Sequence, residues 1–402
     1  MAVETSWSDD EFDDNTRGTG VFYPYLGLTD RVDEESNHVP IDPILPDDLQ
    51  ERIIASLPLE CILKACCVCK KWNEIVHSKR FMLNISSVLS QKPWYFMFTS
   101  SDEPVGYFYD PLLRKWYSSE LPCNVKHNCY IASSSGLVCF MDNYSRNELY
   151  VCNPLARNYK KVEPLGDRFF DYRALAFSVD WLSHSYTLAI VGSEQISGDE
   201  WDISIHIYNS NKMVWQSPAA KTFTRWRAGY DSVICDGVLY ALFYYTGTDE
   251  TEDRHALLTY NICSPSYEDI SVATKIPVPC FVTCGRLMNL SDKLVMVGGI
   301  GRQDRPGIIK GIGIWVLRGM ELEEVSRMPH KFFQGFGEID DVFASSGAGD
   351  LIYIQSYGAT ALLEFDMTLK QWDWSHKCPV TKKFPLQLFS GFCFQPRLEV
   401  SP

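Results

Sequence analysis

Cys66 and Cys69 stand at C-x-x-C spacing with Cys67 between them. Such a pair can begin a metal site or a redox disulfide. A structural zinc needs a second ligand pair at a suitable distance. The next cysteine downstream is Cys123, and no H-x-x-x-H follows. The cysteines are therefore expected to pack as small apolar thiols, and no metal or cofactor is expected. Gly298 and Gly299, followed by Arg302, suggest a phosphate loop. They lack the rest of that fingerprint and no helical pattern follows, so they read as the end of a strand. His206 sits on a strand among apolar neighbours, the setting of a satisfied core or edge residue. No G-x-S-x-G, H-E-x-x-H or Walker loop is present, so no catalytic residues are nominated.

What remains is chemistry for binding. "FTRWRAGYDS" gathers Arg225, Trp226, Arg227 and Tyr230; "RPGIIKG" offers Arg305; "HKFFQGFGE" offers Phe332 and Phe333. Tryptophan, tyrosine and arginine dominate the energetics of protein interfaces, and guanidinium forks suit carboxylate or phosphate. The reading is a contact surface for an acidic or phosphorylated protein segment. Inner-strand packing is the other use of aromatics so close to glycines.

These residues sit among β-rich runs from about residue 94 onward. Five of the runs end alike: "YFYDPLLRKW", "YVCNPLARNY", "HIYNSNKMVW", "LTYNICSPSY" and "LEFDMTLKQW". Each places Asp110, Asn153, Asn209, Asn261 or Asp366 six residues before an aromatic. Asp and Asn favour a tight turn by bonding the backbone two residues on, and the ring is expected to fill space between stacked sheets. The successive spacings are 43, 56, 52 and 105 residues. The last is about double, so a copy without the Asx is expected near residue 317. Periods of this size with several strands each predict an all-β propeller of six blades. "LQLFSGFCF" (386–394) would close the ring beside the first blade. An array of β-sandwiches is the structural alternative.

Before the repeats lies "LPDDLQERIIASLPLECILKACCVCKKWNEIVHSKRF" (45–81), read as three short amphipathic helices. Pro46 suits a helix start, and Pro58 stops the first helix. Leu49, Ile53, Ile54 and Leu57 recur at helical spacing. A unit this small needs help to hold together. Without metal or disulfide, its apolar face must dock on another protein or on the neighbouring domain.

The same stretch resembles an F-box, with Leu45–Pro46, Leu57–Pro58, Val68–Cys69–Lys70, Trp72 and Phe81 matching in order and spacing. Cys61 stands where a serine is common and Ala65 where a basic residue is common. Gly298–Gly299 after an apolar strand resembles a kelch repeat. "TCGRLMNLSDKLVMVGGIG" and "CPVTKKFPLQLFSGFCFQPRLEV", among other stretches, are similar to plant F-box/kelch proteins. The resemblance implies the substrate-receptor subunit of an SCF ubiquitin ligase, acting in plant organ growth and boundary formation. Its helices would bind the adaptor subunit, and through it cullin, by Leu45, Pro46, Leu49, Ile53, Leu57, Pro58, Leu63 and Trp72. The propeller would capture a protein substrate. A propeller hydrolase or oxidase with a helical cap is the alternative.

The net charge of −14 is uneven: residues 1–41 hold ten acids against Arg17 and Arg31. With few apolar residues, that segment is expected to be a disordered acidic tail. The helical unit is placed at 42–83 and the propeller at 90–396. An acidic chain is repelled by phosphate backbones, which argues against nucleic acid as a direct ligand. No run approaches the roughly 18 apolar residues of a membrane helix, and no secretory signal opens the chain. The expected location is nucleus or cytoplasm.

Overall fold

The computed structural model describes residues 45–88, 92–99, 105–121, 129–142, 148–166, 170–180, 183, 185–247, 254–263, 276–278, 282–301, 309–334, 343–356, 359–380 and 389–402. The expected acidic tail lies outside them, as does Arg305.

Four helices precede the sheets: α1 (Asp47–Ala55), α2 (Leu59–Ala65), α3 (Lys70–His77) and α4 (Lys79–Val88). Pro46 and Pro58 are N-caps with extended backbone, so each proline ends the preceding segment and starts the next helix. Asp47 and Asp48 fill the first turn of α1, where the helix dipole favours negative charge. Three helices were expected, and the structure corrects this. Ser78 adopts an extended backbone that breaks the third stretch in two. Its Oγ accepts the Phe81 N–H at 3.1 Å, capping α4. Cys69 caps α3, its Sγ accepting the Trp72 N–H at 3.4 Å. Ile54, Ile62, Val76, Phe81 and Ile85 form the core of this unit.

The remainder is sheet, antiparallel but for one pair, with one short helix, His330–Phe333. Four sheets have four strands each, and a fifth has eight. The first combines Phe389–Phe394 with Trp94–Thr99, Val105–Asp110 and Lys115–Glu120. The second runs Tyr130–Ser134, Leu137–Met141, Leu149–Asn153 and Asn158–Val162. The eight-stranded sheet has one antiparallel half of Tyr172–Asp180, Ser185–Ser197, Glu200–Asn209 and Val214–Thr224. Its other half is Trp226–Cys235, Val238–Tyr245, His255–Asn261 and Ile276–Pro277. One parallel pair, Asp231 with Leu175, joins the halves. The last two sheets are Val282–Leu290, Lys293–Gly301, Ile309–Arg318, Glu321–Arg327, and Phe343–Ala348, Leu351–Ser356, Leu363–Asp366, Gln371–Trp374.

The Asx residues act as their chemistry predicts. Asp110 Oδ1 accepts the N–H groups of Leu112 and Leu113 at 2.8 and 3.3 Å. Asn153, Asn209 and Asp366 repeat the pattern, and Asn261 takes the Cys263 N–H. Four residues past the Asx, Arg114, Arg157, Met213 and Lys370 all adopt positive φ near 50–56°. Side chains longer than glycine accept that cost where the turn is bonded on both sides. The expected copy lacking the Asx is present: Ile309–Arg318 returns through Gly319, at φ 61°, into Glu321–Arg327.

The aromatic six residues on does more than fill space. Trp116 Nε1 donates to the His376 carbonyl at 2.8 Å, Trp215 Nε1 to the Glu163 carbonyl at 2.7 Å, and Trp372 Nε1 to Ser326 Oγ at 3.1 Å. Each indole thus fastens its sheet to the edge of the preceding one. Tyr159 departs from the expectation: it is 54% exposed, on the outside of its sheet.

The first strands of successive sheets neighbour one another in a closed cycle, with Phe389–Phe394 taking that place in the first sheet. Short polar side chains stitch them together. Ser133 Oγ donates to the Cys393 carbonyl at 2.6 Å and Ser346 Oγ accepts the Cys393 N–H at 2.9 Å. Ser134 Oγ accepts the Val179 N–H at 3.1 Å, Asn289 Nδ2 donates to the Ile234 carbonyl at 3.2 Å, and Ser291 Oγ to the Gly349 carbonyl at 3.3 Å. Small side chains here let neighbouring backbones approach closely enough to be bonded.

Candidate functional site: two docking surfaces on opposite rims

Strand direction separates the ring into two rims. Outside the first sheet, the first strand starts where connections from the preceding sheet arrive and leads to a tight turn such as Asp236–Gly237, whose two positive φ values fit a hairpin; in the first sheet Phe389–Phe394 runs on into residues 395–402 instead. The Asx turns share that second rim.

The helical unit is fixed to the Asx-turn rim. Leu59 is buried among Trp94, Phe96, Tyr117 and Phe392. Glu60, 6% exposed, accepts the Tyr117 Oη hydrogen at 2.6 Å through Oε2 and bonds Lys64 through Oε1. Burial alone would push the Glu60 carboxyl up, but hydrogen bonds from Lys64 and Tyr117 and the lysine charge hold it below the usual range. Lys92 adds a 3.3 Å pair with Asp366. This linkage carries a pH signature. Because the folded value lies below the unfolded one, Glu60 stabilises fully above 4.5 and loses that contribution as pH falls through the folded value. Glu60→Gln is expected to lower stability by about 1–2 kcal/mol at neutral pH. The gap from wild type should narrow below pH 4.5, measured by urea unfolding across pH.

The nominated adaptor residues divide. Leu49 and Ile53, 40% and 47% exposed and one turn apart on α1, form an outward apolar ridge beside exposed Pro46. Val68, 63% exposed in the α2–α3 turn, adds to the exposed apolar surface of the unit and was not nominated. Leu45 and Pro58 are half-buried. Leu57 and Trp72 are partly buried against the helical core. Leu63 packs against the Trp94–Phe96 cluster, and so belongs to the contact with the first sheet. Its helical spacing gave no sign of which face that sheet would cover.

The opposite rim carries a cation–aromatic cluster. The Arg227 guanidinium lies 3.7 Å from the Tyr172 ring centroid and 5.2 Å from that of Tyr244. Tyr230, 54% exposed, sits 5.2 Å from Tyr172, ring to ring. His255 meets Tyr244 edge-on at 5.0 Å. Burial, and then the charges of Arg254 and Arg227, push His255 down to about 4, so it is neutral at physiological pH and the arginines are the cations. Arg225, at φ 63°, is paired with Asp199 at 3.1 Å and is less available to an anion than its neighbour. Trp226 stacks on Phe243 at 5.6 Å and 10° and packs on the core of the eight-stranded sheet. Phe333 is buried in the core of the last two sheets, with Phe332 half-buried beside Lys331 and Trp374. Trp226, Phe332 and Phe333 therefore pack the sheets; among the nominated capture residues Tyr230 is exposed, while Arg227 is half-buried over Tyr172 and donates to the Ala228 carbonyl at 3.1 Å. Tyr172 and Tyr244 were missed because they come from other strands, and no sequence spacing links them to Arg227.

No group of three or more His, Cys, Asp or Glu side chains is placed to hold a metal among the described residues. Cys69 is spent as a helix cap and Cys67 is exposed. His206 is fully buried between Ser204 Oγ at 3.0 Å and Ser217 Oγ at 2.7 Å, satisfied as expected.

A small helical unit with an outward apolar ridge, fastened to a propeller whose far rim carries arginine and aromatic side chains, defines a chain of F-box and propeller type. A family model for the F-box domain matches residues 43–84, and one described as "F-box protein At3g26010-like, beta-propeller" matches 111–296. The chain is 50% identical to the F-box/kelch-repeat protein At3g61590 of Arabidopsis thaliana over the whole of both chains. It is 24% identical to F-box only protein 6, over 87% of this chain and 73% of that one, and 24% identical to SKP1-interacting partner 15, over 90% and 99%, both of Arabidopsis. The chain belongs to the F-box/kelch-repeat family.

Proposed function

We propose that this protein is the substrate-receptor subunit of an SCF-type cullin–RING ubiquitin ligase and has no catalytic site of its own. The observation that carries the reading is the opposition of two surfaces on one chain whose helical unit is bonded to the propeller. The Leu49–Ile53 ridge lies on a helical unit bonded to one rim by Glu60 and Tyr117, and the Arg227 cluster lies on the other. The ridge is the docking face for an SKP1-type adaptor, and cullin is reached through that adaptor. The name of the relative called SKP1-interacting partner 15 supports this partner. Counting each half of the eight-stranded sheet as one blade, the propeller has six, within 90–396, behind an F-box at 42–83 and an acidic tail at 1–41. Residues 91–118 and 378–400 resemble the plant F-box/kelch protein Hawaiian Skirt, and on that resemblance we assign the same kind of role, in plant organ growth; the proposed location is nucleus or cytoplasm.

The test is reconstitution. The purified chain alone should transfer no ubiquitin; transfer should require adaptor, cullin, RING subunit and conjugating enzyme together. Full activity without the adaptor would overturn the reading.

The substrate is an acidic or phosphorylated protein segment received at Arg227. Arg227→Ala is expected to weaken its capture about a hundredfold while adaptor binding stays unchanged. Arg227→Lys should rescue little, since an ammonium neither stacks on Tyr172 nor forks. The measurement compares proteins retained by wild type and variant under proteasome inhibition, using an F-box-deleted form as a trap. Trp226→Ala is a poor probe, because removing a half-buried indole stacked on Phe243 costs about 2–3 kcal/mol of blade stability.

A further inference from the structure

The rim that carries the helical unit also carries a cationic patch. Lys293 and Arg318 lie two residues beyond the Val295–Val316 pair, so they face each other across the strands Lys293–Gly301 and Ile309–Arg318. Lys370 joins them from the Asx turn of the last sheet, which the Trp372 Nε1 bond to Ser326 Oγ draws alongside. Partial burial, and then the charges of Arg318 and Lys293, hold the Lys370 ammonium below its usual range, so the three cations are close enough to repel one another. Arg318 is paired with Glu323 at 3.1 Å. Lys293 and Lys370 have no ion-pair partner among the described residues, and Asp292 and Glu321 flank them without pairing. Met320 and Leu369, 48% and 62% exposed, stand in the two adjoining turns. Like charges gathered in this way oppose the compact state, and an anion with an apolar flank would offset them.

The same chain holds such a segment. "VFYPYLGLTDRVDEES" (21–36) sets Val21, Phe22, Tyr23, Tyr25, Leu26 and Leu28 directly before Asp30, Asp33, Glu34 and Glu35. Those acids lie 10–15 residues before Leu45, and ten residues of extended chain span up to about 33–36 Å. Leu45 opens the helical unit, and Lys92, which follows that unit, pairs at 3.3 Å with Asp366, the residue whose carbonyl accepts the Lys370 N–H. The segment is therefore tethered on the rim where the patch lies. Its effective concentration there is on the order of millimolar, so contacts of modest strength suffice.

We propose that residues 21–36 dock on this patch within the same chain, their carboxylates on Lys293 and Lys370 and their apolar run over Met320 and Leu369. The contact is separate from the adaptor ridge and from the Arg227 cluster. One consequence, which alone rests on the receptor reading, is that the chain's own acids are kept from the rim that captures acidic segments.

The experiment is zero-length carbodiimide cross-linking of the full chain at low protein concentration, with linked residues mapped by mass spectrometry. Links from Asp30, Asp33, Glu34 and Glu35 to Lys293 and Lys370 are expected to exceed those to Lys212 about fivefold or more. Lys212 is the control, because it is exposed in the matching turn at Asn209 beside exposed Met213. Salt at about 0.5 M should abolish the preference. A second readout needs no lysine: chymotrypsin should cut after Phe22 and Tyr23 about three- to tenfold faster in the double variant Lys293→Glu, Lys370→Glu than in wild type. Both lysines are exposed, so that variant should melt near wild type. Links spread evenly over exposed lysines, or gathered at Lys221 near the Arg227 cluster, overturn the proposal. So does cleavage at one rate in wild type and double variant. Links formed only between two copies, seen as a cross-linked dimer, assign the patch to a second chain and overturn it as well. An excess of SKP1-type adaptor should leave the links in place, and their loss would assign the patch to the adaptor instead.

Discussion

Ile53→Asp is expected to abolish capture of an SKP1-type adaptor, weakening it by two orders of magnitude or more, while the protein keeps its fold. Ile53 is 47% exposed and shares an outward face with Leu49, so the substitution removes nothing from the helical core of Ile54, Ile62, Val76 and Phe81. What it does is place a charge in the middle of an apolar ridge that a partner must desolvate. An uncompensated charge at such a position costs several kcal/mol, and about 3 kcal/mol corresponds to more than a hundredfold in affinity. The effect on stability is small and has a known cause, since an acid near the C-terminus of α1 opposes the helix dipole by about 0.3–1 kcal/mol. Ile53→Lys separates the two effects. A lysine suits that helix end, so this variant should melt at or slightly above wild type and still fail to bind. The measurement is adaptor pull-down followed by calorimetry, with melting curves beside it. Retained binding in both variants would move the docking face elsewhere on the unit. Leu63→Asp should behave in the opposite way, loosening the helical unit from the first sheet, because Leu63 faces the Trp94–Phe96 cluster.

The contrast between Ile53 and Leu63 shows where sequence reasoning reaches and where it stops. Helical periodicity puts both on apolar faces, but it does not say what covers each face. That depends on Leu59 and Glu60 meeting Trp94 and Tyr117 across about 57 residues of chain. The helix break at Ser78 was missed for a related reason. Serine carries a local hydrogen bond that competes with the helix, yet "KWNEIVHSKRF" keeps its apolar period across the break. Local bonding therefore decided the matter, and pattern did not. The Asx turns were readable because their chemistry is complete within four residues. Asp110 bonds Leu112 and Leu113 whatever the rest of the chain does. The partners of the aromatic six residues later were not readable. Trp116 reaches His376 and Trp215 reaches Glu163, and both contacts exist only once neighbouring sheets are side by side. Tyr159 carries no indole N–H to spend on such a contact and is left exposed.

The capture surface shows the same limit more sharply. Arginine beside aromatics was visible in "RWRAGY"; the packing reading holds for Trp226, and the contact-surface reading attaches to Arg227 and Tyr230 as a proposal. Trp226 stacks inward on Phe243, while Arg227 lies over Tyr172 at the rim. Alternation along a strand sends neighbours to opposite faces, and a local bulge between Ala228 and Ser232 resets that alternation before Asp231. Tyr230 and Asp231 thereby acquire different duties, one exposed at the rim and one bonded to Arg286 in the channel wall.

Removing residues 389–402 is expected to prevent folding altogether. Phe389–Phe394 supplies the inner strand of the first sheet and pairs with Trp94–Thr99 at six consecutive positions. Phe392, Cys393 and Phe394 are 3%, 0% and 1% exposed, and Phe392 touches Phe96 and Phe140 at ring distances of 5.5 and 5.4 Å. Losing those three side chains from the core costs roughly 6–8 kcal/mol at the usual transfer values. Against a net stability of about 5–15 kcal/mol, that loss is comparable with the whole, even before the strand's backbone bonds are counted. Cys393 also anchors stitches from both sides, Ser133 to its carbonyl and Ser346 to its N–H, so its removal opens the ring at two contacts. Beyond the strand, the carbonyls of Arg397 and Val400 satisfy the fully buried Asn153 Nδ2 at 2.7 and 2.8 Å, and deletion orphans a second-sheet turn. The truncated chain should elute as aggregate and lack a cooperative melt, whereas Phe392→Ala alone should melt cooperatively at a lower temperature, about 3–4 kcal/mol less stable. A peptide of residues 389–402 supplied in trans should restore part of the fold by adding the missing strand. A truncated chain that is monodisperse and melts in one sharp step would mean that the first sheet holds without its inner strand. Closure by the last strand also makes the ring the slowest part to form, since its pairing spans nearly 300 residues and such contacts are late and entropically costly.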